Sequence, residues 1–179
     1  QVTYTDLPSN DFSALFKNLL GFGSSGANTF LTDIKNVFVN ACGIGFHEQL
    51  LPDETLDIGF SATAMHYISE KPCTIDDHVH MVGASGDALA AFGQQAKRNW
   101  EDLLLARSRE LRPGGRLVIL NFGIDEQGRY LGNTGGINMF DTFAELWSNM
   151  RNEGIITSDE FKNTAFPQYY RTVEEFCAP

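Results

Sequence analysis

Residues 116–122 read RLVILNF, an apolar and nearly unbroken run set directly behind Arg112-Pro113-Gly114-Gly115. A strand with one wet face alternates apolar and polar residues. A run this uniform suits a strand covered on both faces, as in parallel sheets. Parallel neighbours need long crossovers, usually helical, and the chain supplies the parts. Val2-Thr3-Tyr4-Thr5, Val37-Phe38-Val39 and Leu56-Asp57-Ile58-Gly59-Phe60 read as short strands bounded by turn formers. Phe12, Leu15, Phe16 and Leu19 share one helical face, with Asn10 as the expected N-cap. A long helix is predicted from about Asp87 to Leu111, with Phe92, Ala96, Trp100, Leu103 and Leu104 on one side and the Pro113-Gly114-Gly115 turn as its stop. Met139, Phe140, Phe143, Leu146, Trp147 and Met150 give another amphipathic helix, ended by Gly154. Residues 73–84 read as irregular, and no internal repeat is visible. Strands alternating with helices predict an α/β sheet with right-handed crossovers. Ligands of such sheets bind outside the carboxyl ends of the strands, so the residues just after each strand carry the functional information.

Composition narrows the partners. With 23 acidic against 13 basic residues the net charge is −10, and a phosphate backbone would be repelled. Nucleic acid is therefore not an expected partner. No apolar run reaches the roughly 20 residues of a membrane span, so no membrane association is expected. Cys42, Cys73 and Cys177 are an odd count at unpatterned spacing, which fits reduced thiols in the cytoplasm rather than a disulfide framework. At 179 residues and 42% hydrophobic the chain can build a core. It runs from Gln1 into a strand and stops at Pro179 without a polar tail, and both ends look cut; an interior piece of a longer protein is expected.

Three strand ends carry candidate chemistry. Asp6 follows the first strand, where a carboxylate can accept hydrogen bonds from the two ribose hydroxyls of a nucleotide; an Asp before Leu7-Pro8 also reads as a turn or cap residue. Gly45-Phe46 follows the second strand. There a glycine lets backbone approach a ligand and a ring can lie against a purine, though a loop Gly and a core Phe look the same. Ser61-Ala62-Thr63-Ala64-Met65-His66-Tyr67 follows the third, with small residues leaving room and His66 and Tyr67 offering a donor and an aromatic wall.

Taken in order, Asp6-Leu7-Pro8-Ser9-Asn10-Asp11-Phe12, residues 60–69 (FSATAMHYIS) and residues 104–116 (LLARSRELRPGGR) resemble the SABATH family, the salicylate- and jasmonate-type carboxyl methyltransferases that use S-adenosylmethionine. The first block and the order of the three point to this family, whereas the PGGR turn is common to many methyltransferases. The resemblance runs from residue 1 to about 175 and covers only the middle of the family's longer chain. It implies part of a Rossmann-like class I methyltransferase sheet over residues 1–130, which binds the cofactor, with part of a helical substrate cap over 131–179. It implies S-adenosylmethionine as cofactor, a small carboxylic acid as substrate and a homodimer. By matching positions it implies that Asp6 and Leu7 hold the ribose and that Gly45 and Phe46 lie around the adenine, where the family usually has Ser-Phe. Ser61 and Ala62 then pass the methionine end, and Thr63, His66 and Tyr67 belong to the substrate pocket. His66-Tyr67 resembles the family's carboxylate-binding His/Trp pair, with His66 Nε2–H or the Tyr67 hydroxyl as the donor.

Two departures stand out. Some plant members carry an acidic residue, a Phe and an Asn shortly before a Pro-x-Tyr, at a place assigned to a magnesium ion. Here Lys162, Thr164 and Ala165 match, which leaves a hard cation almost no oxygen ligands, so no metal is expected. The family's first glycine-rich motif precedes the Asp6 block and is not in this chain. Residues 21–29 (GFGSSGANT) look like it but follow Asp6 and a helix-period run, so they read as a surface loop. Tyr67-x-x-x-Lys71 imitates a dehydrogenase motif, but Pro72 bars Lys71 from a helix. Asp76-Asp77-His78-Val79-His80 lacks a further metal ligand and reads as an exposed polar loop. Methyl transfer to an acid is thus the favoured function; an NAD(P)-dependent oxidoreductase, or a fragment inactive by itself with the Val2–Thr5 sheet edge exposed, are the alternatives.

Overall fold

A computed structural model describes residues 1–22, 28–133 and 135–178. It is a mixed α/β structure in which every strand pair is parallel. Strand β1 (Val2–Thr5) runs into helix α1 (Phe12–Leu19), a short helix α2 (Phe30–Asp33) and strand β2 (Val39–Cys42). β3 (Leu56–Ala62) leads through a single 3-10 turn at Met81–Gly83 to helix α3 (Gly86–Glu110), then β4 (Leu111–Leu120) and β5 (Gly123–Ile124). Helices α4 (Met139–Asn152) and α5 (Ser158–Asn163), strand β6 (Arg171–Thr172) and helix α6 (Val173–Cys177) complete it.

The strands pair as β1–β2, β3–β4 and β5–β6, three two-stranded sheets among the described residues rather than one continuous sheet. β1 is thus bonded on one edge only. In register, Val2 faces Val39 and Thr5 faces Cys42. The second strand therefore begins two residues later than expected. Asn40-Ala41-Cys42 carry little strand propensity and become a strand because β1 supplies hydrogen-bonding partners, whereas Phe38 is exposed and only its carbonyl accepts, from Val2 N–H. The helix cap also differs. Asp11, not Asn10, caps α1 by accepting from Ala14 N–H at 2.9 Å, and the Asn10 amide donates to Asp6 Oδ2 instead.

The 112–115 segment does more than stop a helix. Leu111 already pairs with Leu56, and Arg116 pairs with Ile58, so Arg112 to Gly115 form a bulge within β4. Gly114 sits at φ +85°, and a Cβ on Gly115 would lie 2.7 Å from the Leu56 carbonyl oxygen. Both positions demand glycine.

The core gathers behind β3 and β4. On one side of it Met65, Trp100 and Leu103 pack with Phe46 and Ile119; on the other Ile68, Ile75, Met81, Phe92, Ala96 and Ala165 form the larger cluster. Here α3 covers one face of the β3–β4 pair. The opposite face carries Ile58, Phe60, Val118 and Leu120, all exposed, with Phe60 68% accessible. The run 116–122 is therefore covered on one face, not two. Among the described residues no helix is long and apolar enough to cross a membrane.

Candidate functional site at the strand ends

The carboxyl ends of β1, β2 and β3 open onto one cavity of about 1050 Å³. Asp6 and Leu7 after β1, Gly45 and Phe46 after β2, and Thr63 and Tyr67 after β3 line it. Ser61, Ala62 and His66 do not line it, and Ser69, Asn99 and Asp102 do. The wall is mixed, apolar with a few converging polar groups, as small-molecule sites are.

Asp6 is exposed and prearranged. Its Oδ1 accepts from Leu7 N–H at 2.7 Å and its Oδ2 from the Asn10 amide at 3.0 Å. A carboxylate offers about four lone-pair sites, so each oxygen keeps one for an incoming donor. Gly45 stands without strain: a Cβ there would meet only Leu7 Cδ2, at 3.6 Å. Thr63 is held at φ +54°, a left-handed conformation unfavourable for a β-branched residue, while its N–H donates to Leu120 O at 2.8 Å. Such strain clusters where binding geometry is imposed by surrounding structure.

Beyond Thr63 the chain is fastened to α3 and to the C-terminal segment. Ser69 N–H donates to Asn99 Oδ1 at 2.8 Å, and the Asn99 and Gln95 amides return bonds to Ser69 Oγ. Arg171, buried on β6, donates to Met65 O at 2.9 Å and to Ala96 O. Burial lowers its pKa to about 10. His66 is only 3% exposed, with Tyr67, Phe122 and Tyr170 around its ring. Its Nδ1 faces Asn121 Oδ1 at 3.2 Å. Burial, with help from Arg171, pushes its pKa down, so the ring is neutral at pH 7. Of the two donors expected from the sequence, His66 does not line the cavity. Tyr67, 45% exposed, does line it, and its hydroxyl has no hydrogen-bond partner among the described residues.

The imitation motifs resolve into ordinary contacts. Lys71 Nζ reaches the carbonyls of Lys162 and Asn163 at the end of α5, where a cation is favoured. Asp77 pairs with Arg151, and His78 Nε2 lies 3.2 Å from Asp141. The end of that stretch is not the exposed loop expected: Val79 is buried, and His80 is fully buried and stacked on Phe140 at 3.9 Å. Its Nδ1 accepts from Val82 N–H and its Nε2–H donates to Gln168, and burial lowers its pKa to about 4. Of the glycine-rich stretch, residues 23–27 lie outside the described residues; Thr29 Oγ1 donates to Leu19 O.

Arg107, Glu110 and Asn121 went unnoticed in the sequence. The first two had a signal: positions 100, 103, 107 and 110 share the buried face of α3, so charges at 107 and 110 sit inside an apolar stripe. Asn121 had only its place at a strand end.

A family model described as SAM dependent carboxyl methyltransferase matches residues 1–178. Among curated relatives, indole-3-acetate O-methyltransferase 1 of Arabidopsis thaliana is 24% identical over 97% of this chain and 48% of its own length. Salicylate carboxymethyltransferase of Clarkia breweri is 26% identical over 94% of this chain and 45% of its own. A solved structure, loganic acid methyltransferase with SAH, superposes with a TM-score of 0.78 at 22% identity, over 97% of this chain and 48% of that one. The chain thus spans about half the length of the relatives it matches.

Proposed function

Because this chain belongs to the SAM-dependent carboxyl methyltransferase family, we propose that its strand-end cavity takes the nucleoside end of S-adenosylmethionine and that the whole protein methylates the carboxylate of a small organic acid. The observation that carries this reading is the convergence of Asp6, Phe46 and Tyr67, from three separate strand ends, on one cavity. The chemistry of the wall fits the group. Asp6 keeps one acceptor site on each carboxylate oxygen for two vicinal hydroxyls, Leu7 lies beside it, and Gly45 and Phe46 offer open backbone and a flat apolar surface to a purine. Ser61 and Ala62, at the end of β3, lead toward the methionine end.

When bound, S-adenosylmethionine supplies an already electrophilic sulfonium methyl group. A carboxylic acid is ionised at pH 7, so no general base is needed and the protein's work is alignment and exclusion of water. The Tyr67 hydroxyl donates to the acid and Thr63 borders it. His66, buried and neutral, supports the Tyr67 ring, whose centroid is 4.6 Å away. Relatives named for indole-3-acetate and salicylate support the substrate class. The cofactor side on 1–130, the cap on 131–179 and a cytoplasmic setting for the free thiols of Cys42, Cys73 and Cys177 are parts of the same reading.

Calorimetric titration with S-adenosylhomocysteine tests it. Wild-type chain should bind, and Asp6→Ala should weaken binding roughly 100-fold or more, the worth of two hydrogen bonds to a charged group, with no change in melting temperature. A chain that takes up none, or an Asp6→Ala variant that binds as well as wild type, overturns the assignment.

A further inference from the structure

The C-terminal turns of α3 hold a buried ion pair that the proposed chemistry does not use. Arg107 and Glu110 are 5% and 1% exposed and meet twice, Nε to Oε2 at 2.8 Å and Nη2 to Oε1 at 2.6 Å. Such a pair costs desolvation that apolar residues of similar size would not, so its presence needs another reason. Their remaining side-chain hydrogen bonds among the described residues all go to the backbone of one loop. Arg107 Nη1 donates to Phe46 O at 3.0 Å and Nη2 to Glu48 O at 2.7 Å. Glu110 Oε1 accepts from Leu50 N–H at 2.5 Å and Leu51 N–H at 3.2 Å. Acceptor and donor groups of the same loop are thus met by a cation and an anion, in a geometry only a planar guanidinium beside a carboxylate provides.

That loop carries Gly45 and Phe46 into the cavity, and β2, from which it springs, pairs only with β1 among the described residues. We infer that Arg107 and Glu110 are positioning residues that set the 45–51 loop, and through it the Phe46 wall, for the nucleoside. The inference rests on the reading of the cavity as a nucleoside site. The pair touches no ligand; it fixes the backbone that does. Neither residue lines the cavity.

Two variants test this in the whole 179-residue chain. Arg107→Lys keeps the charge but loses the fork that reaches two carbonyls at once. The paired Arg107→Met, Glu110→Leu variant removes both charges, so no ion is left unpaired and the fold survives. Amide exchange at Leu50 and Leu51 is read by NMR, and S-adenosylhomocysteine affinity by calorimetry. The paired variant should fold with a melting temperature within a few degrees of wild type, the lost loop bonds being offset by the ion-pair desolvation no longer incurred, while both amides exchange about tenfold faster or more as their acceptor is lost. Its affinity should fall about tenfold, with Arg107→Lys in between. Asp6→Ala should lower affinity while leaving both amides unchanged. If the paired variant keeps wild-type exchange or wild-type affinity, the positioning role is overturned. Faster exchange in a wild-type-stable variant, beside a wild-type chain that binds no S-adenosylhomocysteine, instead overturns the nucleoside reading and leaves the loop restraint standing without a ligand to serve.

Discussion

The two halves of the cavity wall are built differently. Among the described residues none before Met65 is buried, whereas the segments from Met65 to Arg171 hold the entire core. Asp6, Gly45 and Phe46 stand on the thinly packed side, and Thr63 and Tyr67 border the dense one. The Asp6–Phe46 side is a two-stranded pair leaning on α3 through Phe46 and the Arg107–Glu110 pair. The Thr63–Tyr67 side is tied to α3 through Ser69 and Asn99 and to β6 through Arg171. Local stability follows buried contact, so ligand should order the first side and find the second already formed.

The contrast can be broken most directly by truncation. Phe92→Ala empties a fully buried site and should cost about 3–5 kcal/mol in urea unfolding, whereas Leu15→Ala, on a half-buried helix face, should cost about 1 kcal/mol or less. Equal losses would show that the two sides are packed alike.

A second test concerns pH and the dense side alone. His80 is held near pKa 4 against an ordinary 6.5, with His78 and His66 as its charged or chargeable neighbours. Above pH 6.5 neither folded nor unfolded chain protonates this ring. Below it the unfolded chain takes up the proton and the folded one does not. Stability should therefore drop by at most about 3 kcal/mol between pH 6.5 and 4, then level off. His80→Phe keeps the stack on Phe140 and should flatten the urea midpoint across that window. An unchanged slope would locate the titration elsewhere.

The smallest effect sharpens the open side. Gly45 has negative φ and room for a Cβ, so Gly45→Ser should fold normally and restore a hydroxyl beside the adenine position. S-adenosylhomocysteine affinity should rise about three- to tenfold, one modest hydrogen bond. A loss would mean that the loop approaches the nucleoside by backbone alone.

Much of this was legible in the chain because it was periodic and long. The 25-residue α3 was expected within one residue at each end, since its apolar side repeats from Phe92 to Leu104 and Arg112-Pro113 bars continuation. β2 was misplaced because Asn40-Ala41-Cys42 is a strand only by virtue of its neighbour. β5 and β6, two residues each, carry no pattern of their own and exist through each other. The site divides the same way. Asp6 and Phe46 were readable from their place at strand ends. Ser69 and Asn99 reach the cavity through packing between residues 30 apart, which no local pattern encodes. The side-chain partner of His66 is Asn121, 55 residues away.

The side of β3 and β4 that shows Ile58, Phe60, Val118 and Leu120 to water has a practical consequence. A twin stripe of that kind is adhesive. Solutions of this polypeptide should light up hydrophobic dyes and self-associate as they are concentrated, and turnover assays will need dilution series to separate adhesion from catalysis.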